Sequence, residues 1–341
     1  MPSVPSYRQL RETGELQRRV SSLEALMGSC VVCPHRCGIN RLENQRSRCH
    51  TGYLPIVSAS TQHFGEEPLL AGSRGVGNIF FANCNLRCVY CQNHLISQNP
   101  RAEAHREIDF DALADIMLDL QGKGCHSIGL VSPSHVVPQI VRAVGIAAER
   151  GLSLPLIYNT GAYDSVEVLR MLDGIVDIYL PDLKYAEGEM ARRYSGVRDY
   201  PRVARAAIEE MERQVGTGLI VDEEGLLRRG LIIRHLVLPN DIAGSKETLH
   251  WIRGRFGPRA TLSVMAQYSP AHRARLTPLL DRTIRRGEYE RVIDFLGGLG
   301  MEEGWAQECE SSSCYLPDFQ NRDRPFQGGT NNKEEASYGI Q

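Results

Sequence analysis

From Gly77 to Leu299, short apolar runs that suit β-strands alternate with amphipathic stretches that suit helices. The predicted strands are Asn78–Ala82, Ser127–Val131, Leu154–Asn159, Ile175–Leu180, Leu231–Leu238 and Thr261–Gln267. Such alternation predicts parallel strands joined by right-handed crossovers. Six units are too few to close an eight-stranded barrel. We therefore expect an α/β fold with a partial (β/α)6 TIM-type barrel of parallel strands, although an open doubly wound sheet would show the same alternation.

The helical stretches divide the chain into three parts. Within the alternating region, the predicted helices are Asp109–Gly122, Val136–Arg150, Ser165–Leu172, 187–196, 201–216, Lys246–Phe256 and Glu288–Leu299. An amphipathic helix over 7–27 and a Cys-rich segment precede this region, so we expect an N-terminal unit at 1–72 and a core domain at 73–304. Residues 305–341 read as a largely disordered tail, because Gln320–Gln341 is polar and rich in Gly and Asn.

Charge and hydropathy exclude two classes of partner. The 341 residues carry a formal net charge of −2, which gives no reason to expect nucleic acid as a partner. No apolar stretch is long enough to span a bilayer, and residues 1–28 lack the apolar run of a signal peptide. We expect a soluble, cytoplasmic protein that acts on neither nucleic acid nor membranes.

Seven of the ten cysteines fall into two groups. In a cytoplasmic chain such grouping favours metal ligation over disulfides. The second group, Cys84, Cys88 and Cys91, follows the first predicted strand with the spacing C-x3-C-x2-C. Three thiolates can hold three irons of a [4Fe–4S] cluster and leave the fourth open for catalysis. The spacing alone fits equally well a zinc ion held by these three cysteines and a distant fourth ligand.

The residues between these cysteines carry a resemblance. The segment Cys-Asn-Leu-Arg-Cys-Val-Tyr-Cys-Gln-Asn at 84–93 resembles the signature loop of radical S-adenosylmethionine (SAM) enzymes, including Tyr90 before the third cysteine. It is similar in particular to the branch related to pyruvate formate-lyase-activating enzymes. The segment 33–41 resembles the PflX-like group of that branch in particular. The resemblance extends over about residues 28–300.

The resemblance implies an oxidoreductase mechanism. The open iron of the cluster would chelate SAM, and an electron from the reduced cluster would cleave it to a 5′-deoxyadenosyl radical that abstracts a hydrogen atom from a substrate. An electron donor such as flavodoxin or ferredoxin is implied as a partner. The substrate stays open: a glycyl-radical enzyme, another protein, a peptide or a small molecule would each fit.

Polar residues at the ends of the other strands are candidates for SAM binding, because parallel folds gather such residues at one edge of the sheet. Ser132 follows the second strand, where related enzymes carry a Gly-Gly-Glu-type segment that is absent here. Asn159 ends the third strand, and Gln267 and Tyr268 end the sixth. Tyr90 is counted with these candidates through the resemblance.

The fourth and fifth strands supply the charged candidates. Asp182 and Lys184 form an Asp-x-Lys pair that resembles the SAM contacts of the activating-enzyme branch. Arg234 matches an arginine that binds the SAM carboxylate in that family, a role that suits a planar bidentate donor. His235 alternates with Arg234 along the strand, so we expect it in the core.

The first group of cysteines predicts a second metal site. Cys30, Cys33, Cys37 and Cys49 suit a closed zinc site and an auxiliary [4Fe–4S] cluster equally, with His35 as a weaker candidate ligand. Outside both groups, Cys125 reads as a small buried apolar residue, and no role is predicted for Cys309 and Cys314.

Two non-catalytic interpretations compete with the enzyme. Both groups of cysteines could be structural metal sites in a binding or scaffold protein, in which case zinc is expected. Alternatively, the chain could be an electron-transfer iron–sulfur protein that does not bind SAM.

Overall fold

The computed structural model describes residues 5–307, 317–322, 325–326 and 338–339. Its strands are β1 (Val57–His63), β2 (Val76–Phe81), β3 (Ile128–Val131), β4 (Leu156–Thr160), β5 (Ile178–Pro181), β6 (Ile220–Val221), β7 (Leu227–Leu236), β8 (Thr261–Met265), β9 (Gly304–Ala306) and β10 (Tyr338–Gly339). Its helices are α1 (Ser6–Glu12), α2 (Glu15–Ala25), α3 (Pro68–Ala71), α4 (His94–Ser97), α5 (Pro100–Glu103), α6 (Phe110–Gly122), α7 (Val137–Glu149), α8 (Val166–Met171), α9 (Gly188–Ser195), α10 (Tyr200–Val215), α11 (Ser245–Phe256) and α12 (Arg286–Gly298).

The strands form one mostly parallel sheet in the order β1-β2-β3-β4-β5-β7-β8-β9-β10, with β6 pairing beside β7. The pairs from β2 through β9 along this order are parallel. β1 and β10 are antiparallel to their neighbours at the two ends, and the order does not close into a ring within the described part of the chain. The predicted α/β fold with six parallel strands and an open barrel is confirmed.

The structure also contains strands that the sequence analysis did not predict. β1 lies inside the Cys-rich segment and pairs with β2, so this segment contributes to the same sheet as the core. β9 adds a seventh parallel strand from residues that include Trp305, which we had assigned to the tail. Cys309, Cys314 and most of the predicted tail lie outside the described residues, but Phe319 is buried against Phe80, with ring centroids 5.3 Å apart.

The predicted N-terminal helix over 7–27 is two helices, α1 and α2. Gly14 separates them with a φ of 72°, a conformation that glycine adopts at little cost and that ends a right-handed helix. α2 packs on α7, and Tyr7 of α1 donates a hydrogen bond to the carbonyl of Leu154 at 2.9 Å. The two short helices therefore dock on the sheet's outer layer.

Alternation along each strand divides the core between the two faces of the sheet. In β7, Leu231 and Ile233 join the large apolar cluster beneath the helices, while Ile232 joins a smaller cluster with Ile157 and Ile178. Side chains of successive strand residues point to opposite faces, so both faces are buried, as in other parallel sheets. No helix among the described residues is both long enough and apolar enough to cross a membrane.

Close packing between β2 and β3 gives a prediction. An added Cβ at Gly129 would lie 1.9 Å from Oδ1 of Asn78 and 2.9 Å from a methyl carbon of Val76. We expect Gly129→Ala to lower the free energy of unfolding by about 1–3 kcal/mol, because overpacking shifts neighbouring atoms. Urea unfolding of the variant and the unchanged protein measures this difference in free energy.

The matched control is Gly145→Ala in α7, where nothing lies within 4 Å of an added Cβ. Alanine is the better helix former, so this variant should be more stable by about 0.5–1 kcal/mol. Equal effects of the two substitutions would contradict the packing described here.

Candidate active site

The loop that carries Cys84, Cys88 and Cys91 runs from β2 to α4. Asn83 begins it with a φ of 66°, which turns the chain sharply at the end of the strand. All three cysteines line one cavity of about 640 Å³. This volume lies within the range of small-molecule and cofactor sites, which runs from about 300 to 1,000 Å³.

Each of the three sulfur atoms has a hydrogen-bonding partner. The backbone N–H of Leu86 donates to Sγ of Cys84 at 3.4 Å. The hydroxyl of Ser195 donates to Sγ of Cys88 at 2.9 Å, and the Ser97 hydroxyl lies 3.2 Å from Sγ of Cys91. Ser195 comes from α9, so a second element fixes the position of the loop.

Burial raises the pKa of all three thiols, and for Cys91 the pKa rises to about 12 with the nearby Cys88 adding to the effect. A metal would have to displace these protons, which makes its binding depend on pH. No group of three or more His, Cys, Asp or Glu side chains among the described residues is arranged to hold a metal ion. In a cubane, however, each thiolate binds a different iron, so three hydrogen-bonded sulfurs around one cavity suit such a cluster.

The residues selected at the strand ends lie in the same cavity. Its lining includes all seven predicted SAM contacts: Tyr90, Ser132, Asn159, Asp182, Lys184, Arg234 and Gln267. Tyr268 also lines it, with its hydroxyl donating to the carbonyl of Leu280 at 2.6 Å. His235 is fully buried and hydrogen-bonded to Leu183 and Ser245, as expected of a core residue.

Asp182 and Lys184 form an ion pair in the cavity wall, with Nζ of the lysine 2.6 Å from Oδ2 of the aspartate. Tyr200 lies behind the pair: its hydroxyl donates to the carbonyl of Asp182 and accepts from the backbone N–H of Lys184. Burial lowers the pKa of Lys184, but the charges of Asp182 and Cys88 outweigh it, so the net shift is upward. The lysine therefore stays protonated at neutral pH.

Arg234 lies in the cavity but is already bound to two carboxylates. Its Nε donates to Oε1 of Glu67 at 2.8 Å, and its Nη2 donates to both Glu66 and Glu67. Asn78 donates to Glu66 at 2.9 Å. Burial opposes ionisation of Glu66, but Arg234 and then His63 hold its pKa at about 2. Binding of the SAM carboxylate, the role implied by the resemblance, stays a prediction, and Nε and Nη2 of Arg234 already donate to the two glutamates.

Glu66 and Glu67 are site residues that the sequence analysis missed. They lie between β1 and α3, in a segment that we had assigned to the N-terminal unit. Adjacent glutamates in a loop are usually solvated and carry little information. The available signal was Glu-Glu-Pro shortly before an apolar strand, which places two carboxylates near the start of that strand.

The segment that carries the first group of cysteines contacts the three-cysteine loop through His35 and Arg48. Cys30, Cys33 and Cys49 are buried, and Cys37 is half-buried. Burial raises the pKa of Cys33 to about 12, with smaller contributions from the other three thiols. His35 points away from them, since its Nε2 lies 2.7 Å from the carbonyl oxygen of Asn85. A metal at this group stays a prediction.

Cys125 belongs to neither group. It is 3% exposed and packs in the core below β2, where an added Cβ at Gly77 would lie 3.3 Å from its sulfur. The structure therefore places it as the small buried apolar residue that we expected.

No protein-family model matches the chain. It is similar to two uncharacterized proteins of Methanocaldococcus jannaschii: one is 28% identical over 285 residues, covering 82% of this chain and 77% of that protein. The other is 24% identical over 293 residues, covering 81% and 78%.

Two solved structures are also similar. Native anSMEcpe with bound AdoMet matches with a TM-score of 0.44 and 12% identity over 63% of this chain, which spans only 57% of that protein. Methylornithine synthase (PylB) matches with a TM-score of 0.43 and 14% identity over 86% of this chain and 70% of its own. An activity is therefore inferred below from the residues of the site and not from these similarities.

Removing Arg234 tests the pairing with Glu66 and Glu67. Arg234→Ala leaves two carboxylates in the cavity wall without their cation, and breaking a buried pair from one side costs about 3–5 kcal/mol. We expect a loss of that order in the free energy of unfolding at pH 7, measured with urea. The control, Arg192→Ala, breaks an exposed pair with Glu189 and should cost at most about 1 kcal/mol.

The pH dependence gives an independent check. The folded pKa of Glu66, about 2, lies below its ordinary value of 4.5, so its ionisation stabilises the fold above pH 4.5 and this stabilisation is lost as pH falls towards 2. Arg234→Ala removes the main cause of the shift, so this variant should lose less stability on acidification. An equal loss in both proteins would contradict the assignment.

Proposed function

We propose that this protein is a radical SAM enzyme that binds a [4Fe–4S] cluster through Cys84, Cys88 and Cys91. One observation carries the proposal: the three cysteines and the strand-end polar residues, chosen from separate parts of the sequence, line a single cavity. A reduced cluster held by these three cysteines would supply the electron that cleaves SAM to methionine and a 5′-deoxyadenosyl radical able to abstract a hydrogen atom from a substrate.

The residues of this chain position the cofactors and exclude water. Ser195 and the N–H of Leu86 donate to two of the sulfurs, and the Ser97 hydroxyl lies within hydrogen-bonding distance of the third. Hydrogen bonds to the sulfurs help to set the reduction potential of a cluster. Asp182 and Lys184 present opposite charges for the polar ends of a zwitterionic ligand. Asn159 and Ser132 add neutral hydrogen-bonding groups at the neighbouring strand ends.

The narrower parts of the proposal rest on the resemblance alone. A PflX-like enzyme of the branch related to pyruvate formate-lyase-activating enzymes would act in the cytoplasm with flavodoxin or ferredoxin as its electron donor. Its substrate would be a protein, such as a glycyl-radical enzyme, or else a peptide or a small molecule. The cavity supports an enzyme over a scaffold, because a structural metal site has no need of charged groups around a cavity of this size.

Cleavage of SAM tests the proposal. Anaerobically reconstituted and reduced protein should convert SAM to 5′-deoxyadenosine and methionine, both quantified by chromatography. Cys88→Ala should reduce product to background, because it removes one of the three cluster ligands. Cys125→Ala changes a buried cysteine outside both groups and should retain activity.

Iron and zinc analysis separates the alternatives. A protein with only zinc would favour the scaffold, and an iron–sulfur protein that neither binds nor cleaves SAM would favour electron transfer. A fully loaded and reduced sample that leaves SAM intact would rule out the radical mechanism.

We further propose that Cys30, Cys33, Cys37 and Cys49 hold a second metal centre, zinc or an auxiliary cluster, which orders the segment 28–72. Cys33→Ala should therefore increase proteolysis within 28–72 while the sheet stays protected. Limited proteolysis with mass spectrometry locates and quantifies the cleavage sites. Cys88→Ala, which lies outside 28–72, is the control. If Cys33→Ala left the cleavage pattern unchanged, this centre would not order the segment.

A further inference from the structure

Described residues near the C-terminus pack against the cavity that holds the three cysteines. We call residues 317–322 and 325–326 the C-terminal strap. Strands near both ends of the open sheet line the cavity, with His63 from β1 and Trp305 from β9. Pro317 and Phe326 of the strap line it as well. The strap follows β9 in the sequence but packs on β1 and β2, so the chain extends here from one end of the sheet to the other.

Aromatic packing holds the strap on the cavity side of the sheet. Phe319 is 2% exposed and belongs to an apolar cluster with Phe80 and Val131, two residues that also line the cavity. The centroid of the Phe326 ring lies 4.1 Å from that of His63 and 5.9 Å from that of Phe80. Because this packing removes apolar surface from water, it stabilises the strap in its position.

A buried ion pair anchors the strap. Glu103 of α5 is fully buried, and its two carboxylate oxygens accept from the guanidinium of Arg322 at 2.6 and 2.9 Å. The Ser58 hydroxyl donates to the same carboxylate at 2.6 Å, and Arg322 donates to the Ser58 carbonyl at 3.3 Å. A buried carboxylate is costly without its cation, so displacement of the strap would leave Glu103 in an unfavourable state.

The position of the strap limits what can reach the cysteines. An open sheet leaves one side of the cavity without a strand, and the strap occupies the part of that side next to β1. With the strap in place, the cavity volume of about 640 Å³ suits a small molecule or cofactor. Segments that open during turnover have few buried contacts, whereas the strap has a buried ring and a buried ion pair.

We propose that the C-terminal strap is a fixed wall of the cavity, and that Phe326 is a specificity-determining residue that admits a small-molecule substrate and excludes a polypeptide. The substrate class rests on the proposed function, whereas the wall does not. In that enzyme, one C–H bond of the small molecule breaks and one C–H bond forms at the 5′ carbon of the deoxyadenosyl radical, which leaves the unpaired electron on the substrate.

Thiol labelling of the full-length protein without metals tests the wall. N-ethylmaleimide is the small reagent, and a maleimide carried on a long polyethylene glycol chain represents a polypeptide. Mass spectrometry quantifies the unreacted fraction of Cys91, which lines the cavity, and of Cys125, which lies in the core. In the unchanged protein, we expect N-ethylmaleimide to label Cys91 and the polymer to be excluded.

Two variants of the strap should admit the polymer. Arg322→Ala removes the anchor and should raise the rate at which the polymer labels Cys91 by roughly tenfold or more, because breaking a buried pair from one side strongly destabilises it. Phe326→Ala removes a half-buried ring without leaving a buried charge, and should raise this rate by a smaller factor. Labelling of Cys125 should stay slow in both variants.

The control is Arg150→Ala, which breaks exposed ion pairs far along the chain from the strap and should leave every labelling rate unchanged. Polymer labelling of Cys91 in the unchanged protein as fast as labelling by N-ethylmaleimide would overturn the wall. Unchanged polymer rates in both strap variants would do the same. If Arg322→Ala also exposes Cys125, the substitution has unfolded the core, and Phe326→Ala decides the question.

Deuterium transfer tests the substrate class. Reconstituted, reduced enzyme supplied with SAM and a perdeuterated protein mixture should form 5′-deoxyadenosine without deuterium, and transfer of deuterium from a polypeptide would overturn the restriction to small molecules. The labelling experiment needs neither cluster nor SAM. A sample that fails to cleave SAM therefore removes the proposed function and the substrate class but leaves the wall, whereas free entry of the polymer removes the wall and leaves the proposed function.

Discussion

The parallel pairing of seven strands, from β2 to β9 without β6, is the constraint on which the site depends. In a parallel sheet the carboxyl ends of all strands lie at one edge, so residues that follow distant strands meet there. The loop after β2, Asn159 at the end of β4 and the Asp182–Lys184 pair after β5 therefore line one cavity. Antiparallel β1 stands at the edge of this arrangement and leads into the segment that adds two glutamates.

Paired charges are the second feature of the cavity. A buried ion is costly unless it is paired and hydrogen-bonded, and the structure meets this requirement twice. Lys184 is paired with Asp182, and Arg234 with Glu66 and Glu67. These groups are held in place before a ligand enters, so they need little reorganisation when it binds.

The sequence predicted the parts of the molecule whose signal is local and periodic. Ile128–Val131 and Thr261–Met265 are fully buried strands. The run Ile-Gly-Leu-Val that predicted the first has no polar side chain, as expected for a parallel sheet, and the second carries large apolar residues at Leu262, Val264 and Met265. β1 was missed because its sequence, Val-Ser-Ala-Ser-Thr-Gln-His, contains few large apolar residues, and β9 because it has only three residues. Glu66 and Glu67 were missed because only the tertiary structure brings them to Arg234.

In the enzyme that we propose, the cluster held by Cys84, Cys88 and Cys91 keeps one iron free of protein ligands for SAM. Electron–nuclear double resonance on the reduced cluster with SAM labelled with ¹⁵N at its amino group tests this directly. We expect a hyperfine coupling between the labelled nitrogen and the cluster. A cluster that shows no such coupling, with a fourth protein side chain bound at the remaining iron, would contradict it.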